Sequence, residues 1–321
     1  VALLSAVLSG VGLAGASLAD LPAGASVGER INGVANPTSV TLGGPPVTLM
    51  DRAYLQGATN PSGTITFTLI GPGGGTIDTE HVLVSGNGYY STPYGFVPGS
   101  PPQNPSSLVG TYQWNVSYGA DPNNSPVSDI NDPNDQVVVS KASPTLTALP
   151  NPTSITLGGP GQTLRDQATL EGGANPSGTI TFTLIGPGGG TIDTEQDLVS
   201  GNGSYSTPYG FVPGSPPQGP LLAGTYQWNV SYGGDNNNNS ASDTFDSNNQ
   251  VTASKASPTL TAMTAFTSVT LGPPQTVYDT ANLQFGANPS GTITFTLLDP
   301  NGTTVDTEQA LVSGNGSYGT P

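Results

Sequence analysis

Gly110-Thr111-Tyr112-Gln113-Trp114-Asn115-Val116-Ser117-Tyr118-Gly119 recurs without a change at Gly224–Gly233. In both copies Tyr, Trp, Val and Tyr fall on every second residue, the period of a β-strand that buries one face. Working outward, Thr64-Ile65-Thr66-Phe67-Thr68-Leu69 carries the same alternation and returns at Thr179–Leu184 and Thr292–Leu297. Residues 60–80 and 175–195 are identical at every position. A repeat of 114 residues (110 to 224) far exceeds the roughly 20–50 of a solenoid unit and matches a whole small domain of about 100. The chain therefore reads as a tandem array: an apolar stretch at 1–27, a first copy at 28–143, a second at 144–257, and a third at 258–321 that stops at Pro321 before its Trp-bearing strand.

Within the second copy the pattern predicts strands at Thr145–Leu149 with Ser154–Leu157, then Thr163–Glu171, Thr179–Ile185, Thr191–Val199, Gly203–Phe211, Thr225–Tyr232 and Gln250–Ser254. The 45 glycines and 31 prolines fall between these runs at regular intervals, as turns do. About seven short strands in about 110 residues is the pattern of an immunoglobulin-like sandwich of two antiparallel sheets. The expected fold class is thus all-β, as tandem immunoglobulin-like β-sandwiches, with the apolar N-terminus as a short helix or leader. Tyr226 stands where a tyrosine corner would, two residues before the position that is Cys in antibody domains, and Trp228 holds that position. A large aromatic in place of the disulfide would centre the core. Ser140-Lys-Ala-Ser-Pro144 and Ser254-Lys-Ala-Ser-Pro258, identical and short, mark the joints. With proline fixing φ they are expected to limit bending.

Pro144-Thr-Leu-Thr147, the Asn175-Pro-Ser-Gly-Thr-Ile-Thr-Phe run, Gly201-Asn-Gly-Ser-Tyr205, and Gly224-Thr-Tyr-Gln-Trp with Tyr232-Gly-Gly-Asp235 together resemble the bacterial Ig-like domain repeats of large secreted and surface proteins. The resemblance spans roughly residues 28–321. It implies a non-catalytic module of adhesins, surface stalks and accessory regions of extracellular proteins. Many relatives carry a cysteine pair near the positions of Thr76 and Ile130; this chain has no cysteine, which puts disulfide-dependent rigidity in doubt and not the fold.

Composition narrows the functions. Only 8% of the 321 residues are charged, against about 25% in an ordinary soluble domain, so solubility rests on Thr, Ser, Asn and Gln. Five basic residues (Arg30, Arg52, Lys141, Arg165, Lys255) stand against 21 acids, and a net charge of −16 repels phosphate backbones and anionic membranes. Nucleic acid is excluded as a partner. Without cysteine there is no thiolate nucleophile or soft metal ligand. Val1–Ala19 is uncharged and apolar, with Ser17-Leu18-Ala19 shaped like a cleavage site, so a leader remnant or an anchor is expected there. Any membrane contact would run through that leader or through an anchor outside this sequence.

Candidate chemistry is thin. His81 is the only histidine, and its counterparts are Gln196 and Gln309, so it reads as an exposed strand residue rather than a base or zinc ligand. Asp78 and Glu80, with Asp193/Glu195 and Asp306/Glu308, put two carboxylates on one strand face. Glycoside hydrolysis uses carboxylate pairs, but from different elements around an aromatic cleft, so a solvated face is expected here. Gly71–Gly75 and Gly186–Gly190 lack a following Lys or helix and read as hairpin turns rather than phosphate cradles. Tyr94–Pro102 and Tyr209–Pro217 read as loops whose Phe covers the end of the sandwich, with a recognition surface as the alternative. Ca2+ is the one cofactor with candidates: Asp121, Asp129, Asp132 and Asp135 in the first copy and Asp235, Asp243 and Asp246 in the second offer hard oxygen ligands near a joint. Asp and Asn also simply form turns.

The function expected is that of a non-catalytic extracellular spacer, a cell-surface stalk or adhesin segment with a cell-surface protein or glycan as its ligand. Two alternatives stand beside it. One is a carbohydrate- or partner-binding accessory region of a larger secreted enzyme; the other is a filament subunit that self-associates by strand donation to its incomplete third domain.

Overall fold

Alternation of apolar and Thr side chains translates directly into the strands of the computed structural model, which describes residues 28–99, 108–214, 222–270 and 272–321. The apolar stretch expected as a leader or helix lies outside these residues. The first copy contains β1 (Arg30–Asn32), β2 (Ala35–Asn36), β3 (Ser39–Thr41), β4 (Met50–Gln56), β5 (Thr64–Ile70), β6 (Thr76–Leu83), β7 (Gly88–Ser91), β8 (Gly110–Tyr118), β9 (Val127–Asp129) and β10 (Gln136–Ser140). The second contains β11 (Thr145–Asn151), β12 (Ser154–Thr156), β13 (Arg165–Glu171), β14 (Ser177–Ile185), β15 (Thr191–Ser200), β16 (Gly203–Ser206), β17 (Gly224–Tyr232), β18 (Ala241–Asp243) and β19 (Gln250–Ser254). The third contributes β20 (Thr259–Thr264), β21 (Asp279–Gln284), β22 (Ser290–Leu298), β23 (Thr304–Ser313) and β24 (Gly316–Gly319). Two compact units divide the chain: residues up to Val40 with Pro46–Val139, and Thr41–Pro45 with Ser140–Pro321.

The protein is all-β and built as sandwiches. In the second copy one sheet runs β11-β13-β16 and the other β12-β19-β17-β14-β15, with the short β18 on β17. The first copy repeats the plan with β4 at the centre of one sheet and β3-β10-β8-β5-β6 as the other. Inward residues come from alternating positions of both sheets, which is why Ile180, Phe182 and Leu184 on β14 and Tyr226, Trp228, Val230 and Tyr232 on β17 are all buried. Their registers set Leu184 opposite Trp228 and Phe182 opposite Val230. Each such large side chain contributes on the order of 2–3 kcal/mol by leaving water. The Asn of each Asn-Pro-Ser-Gly turn sits in the left-handed region (φ 44 at Asn60, 47 at Asn175, 46 at Asn288), a conformation Asn tolerates better than most residues.

Two sequence expectations shift. The strand expected over Gly203–Phe211 ends at Ser206, because Pro208 cannot extend the ladder and Gly210 takes φ 74. β18, three residues without alternation, was not foreseen. In the third copy the sequence stops before counterparts of β17 and β19, and Leu297 is 48% exposed where its equivalent Leu184 is 0%.

Candidate functional site

The acidic loops were the strongest sequence candidates, and the structure gives every one of these carboxylates except Asp135 its own hydrogen-bond donors. The loop after β8 turns back on itself through a latch. One Asp121 carboxylate accepts from Ser62 N (2.7 Å), Tyr118 OH (2.5 Å), Asn123 N (2.7 Å) and Asn124 Nδ2 (2.8 Å). Asn124 in turn accepts from Thr59 N (2.6 Å) and donates to Thr59 O (3.0 Å), as a backbone pair would. The second copy repeats the arrangement: Asp235 accepts from Ser177 N, Tyr232 OH, Asn237 N and Asn238 Nδ2, and Asn238 pairs with Ala174. The Tyr118 hydroxyl, first among these donors, holds Asp121 well below the usual carboxylate range. Burial pulls Asp235 upward, but its donors outweigh burial and leave it at about 2. A carboxylate whose lone pairs face N–H and O–H groups in this way staples the loop to its neighbours.

Asp132 and Asp246 cap a short 3-10 turn, each accepting from the N–H two residues on (2.9 Å in both). Asp129 Oδ2 accepts from Gly33 N (2.9 Å) and Asp243 Oδ2 from Ala148 N (2.8 Å), tying β9 to the link between β1 and β2, and β18 to β11. Asp135 is fully enclosed. Among the described residues no three His, Asp or Glu side chains gather so as to hold a metal ion, although Asp129, Asp132 and Asp135 lie near enough for their charges to act on one another.

One feature escaped the sequence reading. Asp51 and Asp166 lie in the inward phase of β4 and β13, in step with Ala53/Leu55 and Ala168/Leu170, and are 1% exposed. That parity was visible in Asp-x-Ala-x-Leu, which also recurs at Asp279. Burial raises Asp51 to about 6 and Asp166 to about 7, against the pull of the N–H groups of Arg52 and Gln167, with Asp129 and Asp243 adding their charge.

The Asp-x-Glu pairs do share a face, but Glu80 and Glu195 are buried rather than solvated. Each glutamate takes two backbone N–H groups of the following loop: Tyr94 and Gly95 at 2.8 and 2.7 Å, Tyr209 and Gly210 both at 2.7 Å. Both oxygens are thereby committed to holding the loop. The loop brings Phe96 and Phe211 into the core against Tyr112 and Tyr226 (ring centroids 5.8 and 6.2 Å), the covering role expected for them. His81 Nδ1 lies 3.1 Å from Thr66 Oγ1, and Gln196 makes the equivalent contact to Thr181, so the histidine does what a glutamine does. Gly71 and Gly75 close a hairpin turn between β5 and β6. Tyr112 OH donates to Leu108 O (2.9 Å) and Tyr226 OH to Leu222 O (2.8 Å), the corner geometry read from the sequence.

No protein-family model matches the chain, and no curated protein matches it. Among solved structures it is similar to a tetra-tandem repeat from the extending region of a large adhesion protein (18% identity, TM-score 0.38, covering 91% of this chain and 65% of that one). It is also similar to a structure described for host cell surface retention of a 1.5-MDa bacterial ice-binding adhesin (15%, 0.27, 92% and 87%). A third is a Ca2+-stabilized adhesin that helps an Antarctic bacterium reach out and bind ice (17%, 0.26, 92% and 65%). The chain thus spans 65% of the length of the first of these. At such low identity and overlap, nothing about this chain's role rests on them.

Proposed function

We propose that the chain is a non-catalytic, extracellular spacer that carries tension, a segment of a cell-surface stalk or adhesin, built from tandem immunoglobulin-like sandwiches with joints at residues 143–144 and 257–258. The observation that carries this reading is the parallel pairing of β12 with β19, the early and the last strand of the second copy. Force applied to the two ends of a copy, once it passes β11, pulls the parallel β12 and β19 past each other, so their cross-strand bonds, Leu157 N to Ser254 O and Thr252 N to Thr153 O (both 3.0 Å), are loaded together rather than opened one at a time. One fact of sequence and one of structure agree with it. The copies are repeated nearly verbatim, as a length-giving array requires, and the buried carboxylates Glu80, Glu195, Asp51 and Asp166 lie in the sandwich core rather than around a cleft.

Location is the part of this reading most easily tested. Antibodies raised against the second copy should label intact cells of the source organism. Labelling that appears only after permeabilisation would refute the extracellular assignment.

A further inference from the structure

The first and second copies differ at one buried position in a way that packing alone does not explain. The turn Asp132-Pro-Asn-Asp135 of copy one becomes Asp246-Ser-Asn-Asn249 in copy two, so a carboxyl replaces an amide. Both side chains are 0% exposed, and neither Asp135 oxygen has a hydrogen-bond partner. The segment beside them differs in step: Gly33, between β1 and β2, stands where copy two has Ala148 on β11. A Cβ on Gly33 would lie 2.5 Å from Asp135 Oδ2, so the carboxyl occupies the space that the alanine methyl would take.

The surroundings of Asp135 are uniformly unfavourable to a negative charge. Asp51 on β4, Asp129 on β9 and Asp132 at the start of its own turn all act on it, and no cation offsets them. The basic residues of the first copy's strands are Arg30 on β1 and Arg52 on β4, neither of which acts on Asp135, and the Arg52 guanidinium is 3.8 Å above the Tyr89 ring. β8 reaches the turn through Gln113, a neutral side chain whose Nε2 donates to Asp132 O (3.0 Å), and β10 carries no charged side chain. An unpaired carboxylate enclosed in this way costs several kcal/mol, whereas its neutral acid is close in shape and polarity to the amide at Asn249.

We propose that Asp135 is a proton-operated lock on the first copy: the sandwich is held with this carboxyl neutral and loosens as the proton leaves. The proposal does not depend on the role suggested above. Burial first, and then the charges of Asp51, Asp129 and Asp132, push this group up to about 8, whereas an aspartate in an unfolded chain titrates near 3.9. The folded state therefore holds the extra proton between about pH 4 and 8. Stability is complete below that window and is lost as pH rises through it, the opposite of a salt-bridged aspartate.

Two tryptophans, Trp114 and Trp228, one in each copy, allow the copies to be read separately within the full chain. In a Trp228→Phe background, urea unfolding followed by Trp114 fluorescence reports copy one. The unfolding constant should rise about tenfold per pH unit between pH 6 and 8, the slope for one extra proton in the folded state. Asp135→Asn in that background should abolish the slope above pH 6 and give the more stable protein at pH 8. The reciprocal Asn249→Asp, read through Trp228 in a Trp114→Phe background, should steepen the pH dependence of copy two that Asp166 already produces. A flat profile for copy one, a slope that survives Asp135→Asn, or an unchanged slope with Asn249→Asp would each overturn the proposal. So would stabilisation at pH 8 by calcium chloride that Asp135→Asn removes, since a cation rather than a proton would then neutralise the group.

Discussion

At the scale of single residues, the repeated acidic side chains work as hydrogen-bond acceptors for their own backbone. Asp235 is the sharpest case, because one carboxylate gathers donors from β17, from its own loop and from the first residue of β14. Replacing it by Asn keeps the shape but removes the charge that strengthens those bonds. We expect Asp235→Asn to destabilise copy two by about 1–2 kcal/mol, read by urea unfolding through Trp228 in a Trp114→Phe background. Because its folded pKa is depressed to about 2, the stability it lends is present above about pH 4 and is lost as pH falls toward 2. The wild-type and Asn proteins should therefore converge in acid; a difference that persists at pH 2 would show that charge is not the cause. The sequence displayed these aspartates but not their work. Asp in a loop reads equally as turn former or metal ligand, and only the closure of the chain reveals that Ser62 and Ser177 N–H groups arrive at them.

At the scale of elements, what was legible was whatever alternation could write. β14 and β17 were readable because polar and large apolar residues take strict turns, over six positions at Thr179–Leu184 and eight at Thr225–Tyr232, and the inward set was right to the residue. β18 was not, since Ala-Ser-Asp has no pattern and its pairing with Val230–Tyr232 is decided by the chain's return path. The inward Asp166 went unnoticed because an acid in the apolar phase of a strand contradicts the rule by which the strand was found. The pairing of β12 with β19 likewise left no sequence mark, although it is the element the proposed role leans on. It makes a specific prediction. Thr252 donates its N–H to Thr153 O and not to β17, and its side chain is exposed. Thr252→Pro should thus remove one bond of the parallel pair and lower the unfolding force of copy two in single-molecule pulling, leaving the copy-one event unchanged. Equal loss of force in both events would mean that this strand pair does not set the resistance.

At the scale of the whole chain, each complete copy has its own aromatic centre, its own tyrosine corner and its own loop latch, so copies one and two should unfold as separate events. Near-identity also carries a hazard: Gly110–Gly119 and Gly224–Gly233 can substitute for one another during folding. Refolding from denaturant should consequently give a lower native yield for the full chain than for a variant in which the second block is diversified on its exposed face. Equal yields would remove strand exchange from the account. The central claim, that these are independent sandwiches able to resist tension, is tested most directly by pulling the full chain from its two ends. The account predicts two events of similar force, each releasing about 350–400 Å of contour for a 114-residue copy at the reach of an extended chain. One merged event, or extension without a resolvable force peak, would contradict it.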